Sequence, residues 1–197
     1  MKGVAPFLRT LATLLSMLLL CALADGAAAQ PVVRVTTAGQ GGTITVAASA
    51  EMAVEAGTAW NVITDYDHLA EFIPDMQSSR VIRHDGDQLL VEQRGSLGFL
   101  FFQQPIEVTL SVIEAPQRGI EAHAVSGNMA EMDGRYGLET LPSGLVRLSY
   151  SGRLVPDFPV PPVVGRIAVR SVLERQFNAL VAEIVRRDTA VRGAAPK

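Results

Sequence analysis

From Ser79 to Val155 the chain alternates apolar and polar residues in six runs: Ser79–His84, Gln88–Leu97, Gln104–Ile113, Gly119–Val125, Glu131–Leu141 and Leu145–Val155. A period of two puts successive side chains on opposite faces, so each run predicts a half-buried strand. The breaks are turn-formers, as in Asp85-Gly86-Asp87, Ala115-Pro116-Gln117-Arg118-Gly119 and Pro142-Ser143-Gly144. Connections this short imply an antiparallel meander. Thr43–Ala48 alternates in the same way and predicts a first strand ahead of the meander. Between the two, Ala56, Ala59, Trp60 and Ile63 recur at helical spacing within Glu55–Thr64, and Asp67 is placed to cap a second short helix that Pro74 helps to end. After the meander, Val163–Asp188 repeats apolar residues at Val169, Val172 or Leu173, Phe177, Leu180 and Ile184, with Arg166, Arg170, Glu174 and Asn178 opposite. That is a long amphipathic helix with one core face.

The alternation also assigns the sheet faces. Val108, Leu110 and Val112, then Ile120, Ala122 and Ala124, then Tyr136 and Leu138, then Leu148, Tyr150 and Leu154 share one side. Glu107, Thr109, His123, Arg135, Glu139, Arg147 and Arg153 share the other. A sheet apolar on one side must bury that side, and the final helix is the available cover. The expected class is α+β: a curved seven-stranded antiparallel sheet around a long C-terminal helix, with two short helices after the first strand.

The order of elements and several local stretches resemble the helix-grip fold of the START-like superfamily, which includes polyketide cyclases and the coenzyme Q-binding proteins. The stretches are "VITDYDHLAEFIPDMQSSRVI" (Val62–Ile82), "LLVEQRG" (Leu89–Gly95), "PIEVTLSVIE" (Pro105–Glu114) and "LVPDFPVPP" (Leu154–Pro162). The pattern is most similar to the coenzyme Q-binding branch, and the resemblance implies a hydrophobic ligand held between sheet and helix.

The N-terminus has a separate character. Lys2 and Arg9 precede an almost wholly apolar stretch, Thr10–Ala24, followed by the small residues Ala27-Ala28-Ala29. This is the layout of a secretory signal peptide, with an apolar core shorter than the roughly 20 residues of a membrane span. Residues 1–29 are therefore expected to be removed on export to the periplasm. The polar, Gly-rich residues 30–42 read as a flexible segment, 43–189 as the domain and 190–197 as a flexible tail. Cys21, the sole cysteine, falls in the signal, so the mature domain would have neither a disulfide nor a thiolate site. A chain of about 165 residues can bury about two-thirds of its unfolded surface and needs no such staple. The formal net charge of −3 disfavours a nucleic-acid partner.

One stretch breaks the alternation. Phe99, Leu100, Phe101 and Phe102 are consecutive large apolar residues and cannot all face one core. In a meander, alternate connections lie at the same end. The Asp85–Asp87, Pro116–Gly119 and Pro142–Gly144 turns share a polar end, while Phe99–Phe102, Gly127-Asn128-Met129 and the Val155–Val164 segment share an apolar one. An exposed apolar rim marks a binding site or a membrane contact. The mouth of an apolar cavity is expected there. Its expected lining is Gln93, Val108, Leu110, Ala122, Ala124, Tyr136, Leu138 and Tyr150 from the sheet, Phe177 from the helix, and Phe99, Phe101 and Phe158 at the mouth. Tyr136, Tyr150 and Gln93 are polar groups on the apolar face and must find hydrogen-bond partners. A ligand's carbonyl or hydroxyl is one source, and backbone or trapped water is another.

Catalytic and metal-binding patterns are scarce. The Asp65-Tyr66-Asp67-His68 cluster reads as turn and cap chemistry, because neighbours on a turn seldom converge on one ion. Asp85-Gly86-Asp87 lacks the rest of a calcium loop, and no serine has nucleophile flanks. No catalytic residue, metal or cofactor is assigned. The sequence thus points to an exported binder or carrier of a lipid or quinone-like molecule, with membrane-surface contact at the apolar rim and at Arg166 and Arg170. Two alternatives stand beside it: a cyclase or dehydratase using the inward tyrosines, and an interaction module docking through its apolar end. An inward acid or histidine paired with a tyrosine would favour the enzyme, and a filled interior the docking module.

Overall fold

In a computed structural model, residues 31–40, 42–99, 102–159 and 162–194 are described, with Phe99, Phe102 and Pro162 described in their backbone alone. The proposed signal peptide, Phe101, Val160 and the last residues of the tail lie outside them. Eight strands form one antiparallel sheet in the order β1-β2-β8-β7-β6-β5-β4-β3: β1 Arg34–Gln40, β2 Thr43–Met52, β3 Met76–Asp85, β4 Gln88–Phe99, β5 Phe102–Ala115, β6 Gly119–Gly127, β7 Met129–Thr140 and β8 Val146–Pro156. The helices are α1 (Ala56–Ile63), α2 (Leu69–Phe72), which follows a 3-10 turn at Tyr66–His68, and α3 (Pro162–Ala194). The helix-grip architecture is thus present, with α3 against the apolar face of the sheet.

The sheet has eight strands, not the expected seven. The additional strand, β1, comes from the segment expected to be flexible. It pairs with β2 from Arg34↔Ser49 to Gln40↔Thr43. An edge strand is held by backbone hydrogen bonds on one side and needs few apolar residues. Val35 is buried, and most of the remaining side chains are exposed. The short helices consequently follow the second strand. At the other terminus α3 runs to Ala194, so residues 190–194, expected in the tail, are helical. Asp67 caps no helix; its carboxylate accepts a hydrogen bond from the Val81 N–H at 2.8 Å and ties the 3-10 turn to β3.

The two ends of the sheet sort as the meander requires. The turns β3–β4, β5–β6 and β7–β8 share one end, and β1–β2, β4–β5, β6–β7 and the β8–α3 connection share the other. Phe99 pairs with Phe102, so the aromatic run falls at the β4–β5 hairpin. At the β6–β7 tip Gly127 has φ 127°, where a Cβ would run into the carbonyl of Glu107.

The end away from the mouth is held by charge. Asp188, almost fully buried, accepts the Glu55 N–H at 2.8 Å, so a carboxylate from α3 satisfies a free donor where α1 begins. Arg187 bridges Asp65 (2.8 Å) and Glu183 (2.7 Å), and its guanidinium lies 5.6 Å from the Phe72 ring centroid. His68 bonds Asp65 at 2.6 Å, which raises the imidazole pKa. The Asp65–His68 cluster is therefore turn chemistry. Around this clasp the main core gathers Met52, Val62, Val146, Leu148 and Ile184, all essentially inaccessible.

Candidate functional site

Towards the mouth the packing between sheet and α3 is incomplete, and two adjoining chambers of about 180 Å³ each remain. Each exceeds the about 150 Å³ of a dry apolar cavity able to take a benzene, and together they enter the ~300 Å³ range of small-molecule sites. The outer chamber lies at the mouth, between Ile44, Leu97, Ile106, Met129, Leu154 and Phe158 on the sheet side and Val169 and Val172 on α3. The inner one reaches towards the clasp, between Tyr66, Ile73, Leu110, Ile120, Ala122 and Tyr136 and the α3 residues Phe177 and Leu180. Met76, Gln93, Met132, Tyr150, Leu173 and Gln176 border both.

Of the residues expected to line a cavity, Gln93, Val108, Leu110, Ala122, Tyr136, Tyr150, Phe158 and Phe177 do so. Ala124 and Leu138 do not. Ala124 is paired with Leu110 next to a register shift in β5–β6 and packs against the main core. Leu138 is paired with Leu148 nearer the clasp, and both are buried. Phe101 is outside the described residues, and Phe99 is described in its backbone only.

The polar groups are few and uncharged inside. Tyr136 and Tyr150 stand side by side, ring centroids 4.8 Å apart at 43°. Both are enclosed by protein yet keep accessible surface, which faces the chambers. Burial raises both phenols, Tyr150 to about 12, so they are neutral donors at any ordinary pH. Neither has a side-chain hydrogen-bond partner among the described residues. Gln93 donates through Nε2 to Ser79 Oγ (3.2 Å) and Gln176 through Nε2 to the Pro74 carbonyl (3.0 Å). Each amide oxygen is left to accept.

Several contributions escaped the sequence reading. Gln176, on α3, and Met76, at the start of β3, border both chambers. Tyr66, on the 3-10 turn, donates to Glu114 Oε1 at 2.9 Å, and burial together with that carboxylate raises its phenol well above the ordinary range. Glu114 continues the inward phase of Val108, Leu110 and Val112, which was the available signal.

Comparison with known proteins follows from this geometry. Residues 52–181 match the family model described as polyketide cyclase / dehydrase and lipid transport. The chain belongs to that family. No curated protein matches it. Among solved structures it is similar to a START superfamily protein from Mycobacterium smegmatis, with TM-score 0.62 and 15% identity over 72% of this chain and 97% of that one. It is also similar to the ZhuI aromatase/cyclase from Streptomyces sp. R1128 (0.60, 19%, 84% and 100%). A STAR-related lipid transfer protein from Xanthomonas axonopodis gives 0.61 and 13%, over 82% and 96%. At these identities the structures share a fold. The coenzyme Q-binding branch is not distinguished from the rest of the superfamily.

Proposed function

We propose that this chain is an exported binder or carrier of a hydrophobic small molecule, a lipid or quinone-like compound, held between the sheet and α3. The observation that carries the reading is the pair of chambers, predominantly apolar, with Asp75 and Arg94 at the outer one alone, and placed at the end with the aromatic hairpin. A ligand moving from a bilayer into this space would exchange one apolar environment for another, and burial of its apolar surface would hold it there. Family membership and the likeness to a STAR-related lipid transfer protein support the same reading, as does the signal-like N-terminus for periplasmic export. Membrane contact would fall to the Phe99–Phe102 hairpin and the start of α3, where Val163 and Ile167 are exposed beside Arg166 and Arg170. The unfilled interior counts against a module that only docks partners.

A second reading has one specific observation behind it. An inward acid paired with a tyrosine is present as Glu114 and Tyr66, and one fold neighbour is an aromatase/cyclase. In a cyclase or dehydratase of this geometry, Tyr136 or Tyr150 would polarise a bound carbonyl. Native mass spectrometry with solvent extraction of the protein purified from its own periplasm separates the two. Recovery of one intact hydrophobic compound supports a carrier, recovery of a substrate and its cyclised or dehydrated product supports the enzyme, and an empty protein in every preparation contradicts both.

A further inference from the structure

Resting on the reading of this space as a ligand site, we propose that the inner chamber accepts an uncharged polar group, a hydroxyl or carbonyl on an apolar body, and excludes ionised head groups, with Tyr150 as the residue that reads it. Among the described residues, no charged side chain lines the inner chamber. Its polar lining consists of Gln93, Gln176 and three neutral tyrosines. An ionised group brought here would lose its hydration without gaining a counter-charge, which costs far more than one neutral hydrogen bond returns. The nearest carboxylate, Glu114, stands behind Tyr66 and receives its proton donor. It is not part of the chamber lining, so neither an anion nor a cation finds an ion-pair partner on the chamber wall. Asp75 and Arg94 border the outer chamber alone, and Asp75 is engaged by Arg175 at 2.5 Å.

Tyr150 has a built seat. Gly134 and Gly152 are register partners on β7 and β8, and both lie under its ring. A Cβ on Gly134 would come within 3.1 Å of the phenol oxygen, and one on Gly152 within 2.6 Å. The two glycines form a recess that lets the phenol lie along the sheet. Tyr150 thereby lines both chambers, and its hydroxyl is held over the two glycines.

Competition against N-phenylnaphthylamine, a neutral fluorescent probe, tests the proposal with dodecanol, dodecanoate and dodecylammonium, which share one saturated chain. The titration is run at about pH 8, where the acid and the amine are both ionised. Dodecanol is expected to displace the probe at least about tenfold more effectively than either ion. Tyr150→Phe should lower that preference by about threefold to tenfold, the effect of one neutral hydrogen bond. Gly134→Ala, which presses on the ring from beneath, should lower it in the same direction with an unchanged circular dichroism spectrum. Dodecanoate competing as well as dodecanol, in the wild type and in Arg94→Gln alike, would overturn the proposal; competition lost in Arg94→Gln would support it, by placing the charged head group at the rim outside the inner chamber. A preference that survives both variants would overturn the role of Tyr150. A probe that fails to bind at all would instead overturn the underlying reading of the space as a ligand site.

Discussion

The two ends of α3 are anchored by different chemistry. Near the clasp, Arg187, itself braced by Glu183, binds Asp65, and Asp188 binds the start of α1, over a core whose side chains are essentially inaccessible. Near the mouth, Ala168, Val169 and Val172 meet a small apolar cluster with Ile44, Val46 and Leu97, and the chambers begin beside it. A tyrosine or methionine against empty volume forfeits dispersion contacts that Ile184 or Leu148 retains. One end therefore supplies stability, and the other gives up packing to leave room for a guest.

Substitution should expose the contrast. Ile184→Ala, at the clasp, is expected to cost about 2–5 kcal/mol in chemical denaturation, because the site is fully packed and cannot collapse. Leu154→Ala, beside the outer chamber, should cost about 1 kcal/mol, since part of its surface already faces a void. Equal losses would erase the distinction between the ends.

Acid should act on the clasp. Hydrogen bonds from Arg186, opposed by burial and reinforced by Arg187, hold the Glu183 carboxyl down to about 2 against an ordinary value of 4.5. Its folded pKa is depressed, so its contribution is present in full above about 4.5 and is lost as pH falls towards 2. Asp65 works in the same direction: burial raises its carboxyl, but Arg187 and His68 outweigh it. Glu183→Gln should remove about 1–2 kcal/mol at neutral pH, discounted for the exposed Arg186, and flatten the acid limb of the stability curve. An unchanged limb would remove Glu183 from the account.

At the mouth the smallest stability effect is expected. Phe101→Ser, within the aromatic run, should change stability by no more than about 0.5 kcal/mol while reducing flotation with liposomes. Loss of several kcal/mol would make the run part of the core, and unchanged flotation would remove it from any membrane contact.

Much of this was legible in the alternation of the meander, because a half-buried strand must repeat every two residues. The same phase picked out Gln93, Tyr136 and Tyr150 as polar groups on an apolar face. β1 was not legible: an edge strand of Thr, Ala and Gly leaves only Val35 to bury, and backbone pairing carries no side-chain signature. Gln176 and Met76 were hidden because their contact with the cavity depends on where α3 crosses the sheet. Ala124 was assigned inward on phase and does pack against the core, but it lies outside the two chambers, next to the register shift at β5–β6.

The most direct test of the central claim, that the space under α3 holds an apolar guest, is binding of N-phenylnaphthylamine to the wild-type protein and to Ala122→Trp and Ala124→Trp. Ala122 lines the inner chamber and Ala124 does not. The account predicts saturable binding by the wild type, largely lost in Ala122→Trp with the fold retained. It predicts that Ala124→Trp, by overpacking filled space, loses about 1–3 kcal/mol of stability. Undiminished binding by a folded Ala122→Trp would contradict it.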